Sequence, residues 1–142
     1  MKGIDISMRY EILQFEEHGD ERGSLIAVEE QKDIPFAIKR VYYIFDTLNG
    51  VRRGFHAHRK LKQVLIAVHG SCKIELNDGV KKEIVILDDC QKGLYIDTPL
   101  WREMYDFSED CVLMCVASDV YDERDYIRNF EEYLEYMKGE KR

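Results

Sequence analysis

Cysteine pairing, long apolar runs, basic blocks and linkers are all missing from this chain, and each absence closes off a class of protein. Its four cysteines form no C-x-x-C pair. Three of them, Cys72, Cys111 and Cys115, fall within apolar strand patterns, so the cysteines read as buried free thiols, without a disulfide frame or a zinc site. The longest apolar runs, Val64–Val68 and Cys111–Ala117, have the length of strands and not of a membrane span. Met1–Ser7 carries no signal-peptide core, and the expectation is a cytoplasmic protein with no membrane partner. Lysine and arginine never occur more than two in a row, and the formal net charge is −7. That argues against nucleic acid as a partner, because phosphate-backbone affinity needs a clustered basic face. An anionic ligand would have to be met by a local pocket of positive charge. No Pro/Gly/Ser-rich stretch and no internal repeat divides the chain, so residues 1–142 are expected to form one domain.

What the chain does contain is a succession of short strand patterns. Arg9–Phe15, Gly23–Glu29, Ala37–Phe45, Arg53–Arg59, Gln63–His69, Ser71–Asn77, Lys81–Leu87, Gly93–Asp97, Arg102–Phe107 and Cys111–Ser118 read as strands, and their spacing suits an antiparallel barrel. Asn77-Asp78-Gly79 is the strongest hairpin signal, since all three residues tolerate positive φ. Val64–Val68 and Cys111–Ala117 are apolar on both faces, so their outer face must be covered by a second sheet, a helix or another subunit. A homodimer is the economical answer. From Tyr121 the period changes: Asp122 is a candidate N-cap, and Tyr126, Ile127, Phe130, Tyr133, Leu134 and Met137 recur at helical spacing. The pattern predicts one amphipathic helix over about 122–138, closed at Lys138-Gly139.

Within Arg53-Gly-Phe-His-Ala-His58, two imidazoles at i and i+2 on a strand point to one face. With Gln63 and Gly70 the stretch runs G-F-H-A-H-x4-Q-x6-G, which resembles the first motif of the cupin β-barrels; Gly93–Pro99 and the following Leu100–Met104 resemble the second. A metal-binding cupin has glutamate where this chain has Gln63, a poorer ligand, and a third histidine in the second motif, where this chain has none. His18 and His69 do not fit the vacant position, and Arg102, close to it, is permanently charged and repels cations. The expected fold is therefore all-β, a cupin jelly-roll antiparallel barrel with one C-terminal α-helix and with no metal or other cofactor. The paired histidines are left free for acid–base work.

Nearly end to end, the chain resembles the small cupin family of dTDP-sugar 3,4-ketoisomerases of deoxysugar biosynthesis. The matching segments are Asp20–Leu25, Ile34-Pro-Phe36, Lys39–Asp46, Arg53–His58, Gln63, Pro99–Met104 and Ala117–Glu123. The resemblance implies a metal-free homodimer with exchanged N-terminal strands, a dTDP-linked 4-keto-6-deoxy sugar as substrate, and paired histidines as proton carriers. Members of the family differ at the residue before Gly-Ser-Leu and at the residue after the tryptophan of Pro-x-Trp-x-Glu-Met. An Arg/His pair goes with a galacto-configured product and a Tyr/Arg pair with a gluco-configured one. Arg22 with Arg102 mixes the two, which leaves both C4 configurations open.

A 3,4-isomerisation needs a base for the acidified C3 hydrogen, a stabiliser for the enediolate and an acid at C4. His56 and His58 are the candidates for that transfer, with His56 preferred as principal base. Tyr42 and Tyr43 alternate on one strand, so at most one lines the chamber; Tyr43 is the candidate to relay a proton, and Trp101 to stack on thymine. Arg53, Lys60 and Arg22 are candidates for the diphosphate, and Arg102 for a sugar oxygen or the enediolate. Gln63 is expected to contact ligand or orient a histidine. Competing readings are a nucleotide-sugar 3,5-epimerase, for which no His–Asp pairing is evident in the sequence, a non-catalytic sugar-binding cupin, and a metal enzyme using His56, His58 and an unrecognised carboxylate.

Overall fold

The computed structural model describes residues 8–140. In chain order it forms β1 (Glu11–Gln14), β2 (Glu17–Asp20), β3 (Gly23–Ile26), β4 (Arg40–Ile44), β5 (Arg53–His58), β6 (Gln63–His69), β7 (Cys72–Asn77), β8 (Lys82–Leu87), β9 (Lys92–Ile96), β10 (Trp101–Tyr105), β11 (Val112–Ala117), β12 (Tyr126–Ile127) and α1 (Phe130–Glu140). Two five-stranded sheets, ordered β1-β9-β6-β11-β4 and β12-β5-β10-β7-β8, carry the fold, and β2 and β3 make a separate hairpin. This is the expected cupin jelly roll.

Strand alternation builds the core. Leu65, Ala67, Leu94, Ile96, Leu113 and Cys115 from one sheet meet Cys72, Ile74, Leu76, Val85, Leu87 and Met104 from the other in a single buried cluster. Each fully buried Leu or Ile stabilises the fold by about 1.5–3 kcal/mol relative to exposure. The hairpin between β7 and β8 forms as its residues dictate: Asn77 Oδ1 accepts the Gly79 N–H at 2.8 Å, Asp78 Oδ1 accepts those of Val80 and Lys81, and Gly79 supplies φ 94°.

The chain itself covers part of the outer face of β6 and β11. Phe15, Ile34 and Phe36 pack on Val64, Ile66 and Val116. Gly93 permits that approach, because a Cβ there would lie 2.7 Å from a Val64 methyl and 2.8 Å from the Phe15 ring. The rest of this face stays open, with Val41, Tyr43, Phe45, Val68 and Leu25 of the hairpin all exposed.

Two elements differ from the sequence expectation. β2 was not foreseen: all of its residues are exposed, so it shows no alternation of burial. The helix expected over about 122–138 is divided. Asp122 caps only a 3₁₀ turn over Glu123–Asp125, Tyr126–Ile127 pairs with β5, and α1 begins at Phe130 with Asn129 as its cap, whose side-chain oxygen accepts the Glu132 N–H at 3.0 Å. Gly139 lies inside α1 instead of closing it. Tyr133, fully buried, anchors the helix: its single hydroxyl proton is shared between the carbonyl oxygens of Pro99 at 2.7 Å and Asn77 at 3.0 Å.

Candidate active site

The paired histidines owe their direction to a bulge. Arg102 pairs with His56 but Glu103 with Gly54, so Phe55 is the extra residue of β5. Gly54 (φ 96°) and Phe55 (φ 58°) absorb the distortion, and a Cβ on Gly54 would stand 2.9 Å from the Arg102 carbonyl oxygen. Beyond the bulge His56 and His58 face inward together, with ring centroids 4.9 Å apart. His56 is 9% exposed and His58 1%. Because cross-strand partners share a face, Arg102 joins His56 and Tyr126 joins His58; the Tyr126 ring centroid lies 5.0 Å from His56 and 4.4 Å from His58.

A polar network forms the floor. The fully buried Arg102 donates to the Leu100 carbonyl at 3.1 Å and, through a short hydrogen bond, to the side-chain carbonyl of Gln63. The Gln63 amide then donates to the Tyr42 hydroxyl at 3.2 Å and to Cys115 Sγ at 3.1 Å. These acceptors satisfy the guanidinium without neutralising it, so a positive charge is kept inside the barrel. Burial lowers the pKa of Arg102 and raises that of Tyr42, whose phenol stays protonated. Burial, assisted by Arg102, pushes His56 down to about 4 and drives His58 well below the ordinary imidazole range. Both rings therefore rest neutral near pH 7, each with one buried nitrogen lacking a partner: Nδ1 of His56 and Nε2 of His58.

The other nitrogen of His58 is held. Its Nδ1 lies 2.9 Å from Asp125 Oδ2, and the same carboxylate accepts the backbone N–H groups of Lys60 at 2.7 Å and Leu61 at 3.3 Å. The sequence reading found no His–Asp pairing; the structure supplies one. Arg40 enters beside it from β4, its guanidinium 5.5 Å from the Tyr42 ring and 5.8 Å from Tyr121, with Nε buried and unpartnered. A cleft of about 110 Å³ opens here, lined in part by His58, Arg40, Lys60, Asp125 and Tyr126.

Of the residues singled out from sequence, the chamber gathers His56, His58, Gln63 and Arg102, with Lys60 at its rim. Tyr43 does not join them: it is 62% exposed on the outer face of β4, and Tyr42 takes the inward position. Trp101 is also turned away. Alternation along β10 sends it opposite to Arg102, under α1, where it packs on Phe130 and Tyr133 and donates its indole N–H to Glu103 at 3.0 Å. Arg53 is exposed at the start of β5. Arg22 sits at the tip of the β2–β3 hairpin, 85% exposed and engaged by Asp20, beside a separate hollow of about 460 Å³. Sequence reasoning missed Tyr42, Arg40, Asp125 and Tyr126. Only Tyr42 left a signal, as the alternative phase of a strand already recognised. Among the described residues no group of three or more His, Cys, Asp or Glu is arranged to hold a metal.

Residues 8–138 match the family described as FdtA: WxcM-like, C-terminal. The TDP-4-oxo-6-deoxy-alpha-D-glucose-3,4-oxoisomerase of Aneurinibacillus thermoaerophilus is 52% identical over 130 residues, covering 92% of this chain and 94% of that protein. The crystal structure of a 3,4-ketoisomerase from Helicobacter canadensis aligns with a TM-score of 0.90 at 49% identity, covering 93% of this chain and 99% of the other. QdtA, a sugar 3,4-ketoisomerase from Thermoanaerobacterium thermosaccharolyticum solved in complex with TDP, gives a TM-score of 0.90 at 46% identity, covering 92% and 96%. The family match spans the jelly roll, its two motif strands and most of the C-terminal helix, and the chain belongs to the FdtA, WxcM-like family.

Proposed function

We propose that the protein is a dTDP-sugar 3,4-ketoisomerase that converts dTDP-4-keto-6-deoxyglucose into the 3-keto isomer. One observation carries the reading: two buried, neutral imidazoles 4.9 Å apart, each with an unpartnered nitrogen, stand beside an unneutralised guanidinium. In the reaction an imidazole nitrogen takes the C3 hydrogen as a proton, and the C3–H electron pair moves toward the C4 carbonyl to give an enediolate. Delivery of a proton to C4 and loss of the O3 proton complete the exchange of ketone and alcohol. Neutral imidazole is the form that can accept at C3. Arg102 brings the charge that stabilises the enediolate oxygens in a site shielded from water. His56 is the principal base in this account, with His58 as its partner, and Tyr42 offers a protonated phenol to a sugar oxygen.

The protein works as a homodimer in this proposal, with the β2–β3 hairpin carried onto the second copy. The hairpin is exposed almost throughout, and it flanks an apolar sheet face bearing Val41, Tyr43, Phe45 and Val68. Exchange would bring Arg22 to the partner's chamber, alongside Arg53 and Lys60 as the diphosphate contacts. No resident metal is needed, since the carbonyl that gains charge meets Arg102. The His58–Asp125 pair supplies the feature an epimerase reading lacked, yet the relatives that are 46–52% identical are named as 3,4-isomerases.

Incubation with dTDP-4-keto-6-deoxyglucose followed by ¹³C NMR tests the reading. A new ketone at C3 and a carbinol at C4 are expected, with the C4 configuration read from the same spectrum. A retained C4 ketone with inverted C3 and C5 would establish the epimerase instead, and unchanged substrate that nevertheless binds would establish a sugar-binding protein.

A further inference from the structure

Asp125 lies outside the cupin motifs and outside every strand, yet among the described residues it is the side chain that hydrogen-bonds an imidazole of the chamber. Its hydrogen bonds divide between its oxygens. Oδ1 accepts from the Lys60 N–H at 2.7 Å, while Oδ2 faces His58 Nδ1 at 2.9 Å and the Leu61 N–H at 3.3 Å. Lys60 and Leu61 directly follow the histidine strand, so the carboxylate is fixed to the same piece of backbone as the ring it holds. A further bond, from the Arg59 N–H to the Asp125 carbonyl at 2.9 Å, closes the clamp. A carboxylate accepts and does not donate, so the proton between Oδ2 and the ring belongs to Nδ1. His58 Nε2 then carries a lone pair, and this is the buried nitrogen without a partner in the chamber.

His56 has no such guard. Its Nδ1 is buried and unpartnered among the described residues, and its ring interacts with the Gly54 backbone instead of a carboxylate. Two residues of one type on one strand are thus made unequal by a residue on another segment.

We propose that Asp125 is a positioning residue of the isomerase: it locks His58 in the Nδ1–H tautomer and aims the Nε2 lone pair at the sugar. The assignment rests on the ketoisomerase reading for its chemistry, but the tautomer lock is a property of the ligand-free protein. When His58 accepts a proton at Nε2 the ring becomes an imidazolium, and Asp125 stabilises that charge without taking the proton from Nδ1.

Asp125→Asn tests the lock by a specific inversion. The amide oxygen best satisfies the short Lys60 N–H contact, which places NH₂ where Oδ2 stood. That group donates to His58 Nδ1 and forces the proton onto Nε2, the wrong nitrogen. Long-range ¹H–¹⁵N NMR of ring-labelled protein reads the tautomer directly. The wild type is expected to show His58 protonated at Nδ1, and the variant at Nε2. With the fold unchanged and TDP affinity kept within about threefold, kcat of the variant is expected to fall by about 10⁴-fold, as a tautomer-inverting Asp→Asn change does in serine proteases. A wild-type His58 protonated at Nε2 would overturn the proposal even if the variant failed to fold. So would an Asp125→Asn protein with inverted tautomer and undiminished kcat. If the wild type does not isomerise the sugar, the ketoisomerase reading falls separately, and the wild-type tautomer still decides whether Asp125 holds His58 as described.

Discussion

Tyr42 and Tyr43 are neighbours of identical chemistry on β4, and they face opposite environments. Tyr42 looks into the chamber, accepts the Gln63 amide at 3.2 Å and lies beside Arg40. Tyr43 looks out, its ring centroid 6.0 Å from that of Phe45, and is 62% exposed. The inner face of the sheet is thus a polar network built within one chain, Tyr42, Gln63, Arg102 and Cys115 being joined by hydrogen bonds, whereas the outer face is apolar and unfinished. Chemistry and assembly occupy the two sides of one strand, and a shift of one residue in register would exchange them.

Truncating each tyrosine in turn separates the two faces. Tyr42→Phe removes the phenol and its bond to Gln63 and is expected to lower kcat about 10²-fold, the range for one polar group acting on a transition state, with the dimer unchanged. Tyr43→Ser is expected to do the converse. It should raise the dimer dissociation constant about tenfold, as loss of a moderate interface anchor does, and leave kcat of the assembled protein unchanged. Steady-state kinetics and sedimentation velocity on both variants check the pair; equal effects on both readouts would erase the distinction between faces.

A smaller effect separates the faces by pH. His56 is pushed from its ordinary 6.5 down to about 4 by burial and Arg102. Between those values the unfolded chain binds the proton and the folded chain does not, so stability falls as pH drops through the window. The contribution reaches up to about 3 kcal/mol at 1.36 kcal/mol per unit. Urea midpoints at pH 7 and 4.5 should fall less for His56→Asn than for the wild type, while Tyr43→Ser should track the wild type; parallel losses in all three would contradict a neutral, buried His56.

Much of the architecture was legible in the sequence because alternation reports burial. The Cys72/Ile74/Leu76 face and the Asn77–Gly79 turn formed as their residues dictate. β2 was invisible because no residue of it is buried. The helix start was misplaced because Tyr126 and Ile127 satisfy helical spacing as well as they satisfy a two-residue strand on the edge of β5. In the site, the i, i+2 spacing of His56 and His58 and the resemblance to the two cupin motifs bring out these histidines, Gln63 and Arg102. Tyr43 and Trp101 were mistaken for chamber residues because composition does not carry phase: the alternation is readable, but which face is inside depends on the pairing of β4 with β11 and of β10 with β5. Asp125 leaves no signal in the sequence, since the histidine it holds is 67 residues away. Arg22 is engaged by Asp20 at the hairpin tip, and one chain alone does not bring it to a chamber.

The central claim is that a neutral imidazole of this chamber takes the C3 hydrogen. Its most direct test is the reaction run in D₂O, with ¹H and ²H NMR following C3, C4 and C5 for the wild type and His56→Asn. The account expects deuterium at C4 of the 3-keto product for the wild type, and no exchange at any carbon for His56→Asn while TDP still binds. Exchange that persists in His56→Asn, or label that enters at C5, would contradict it.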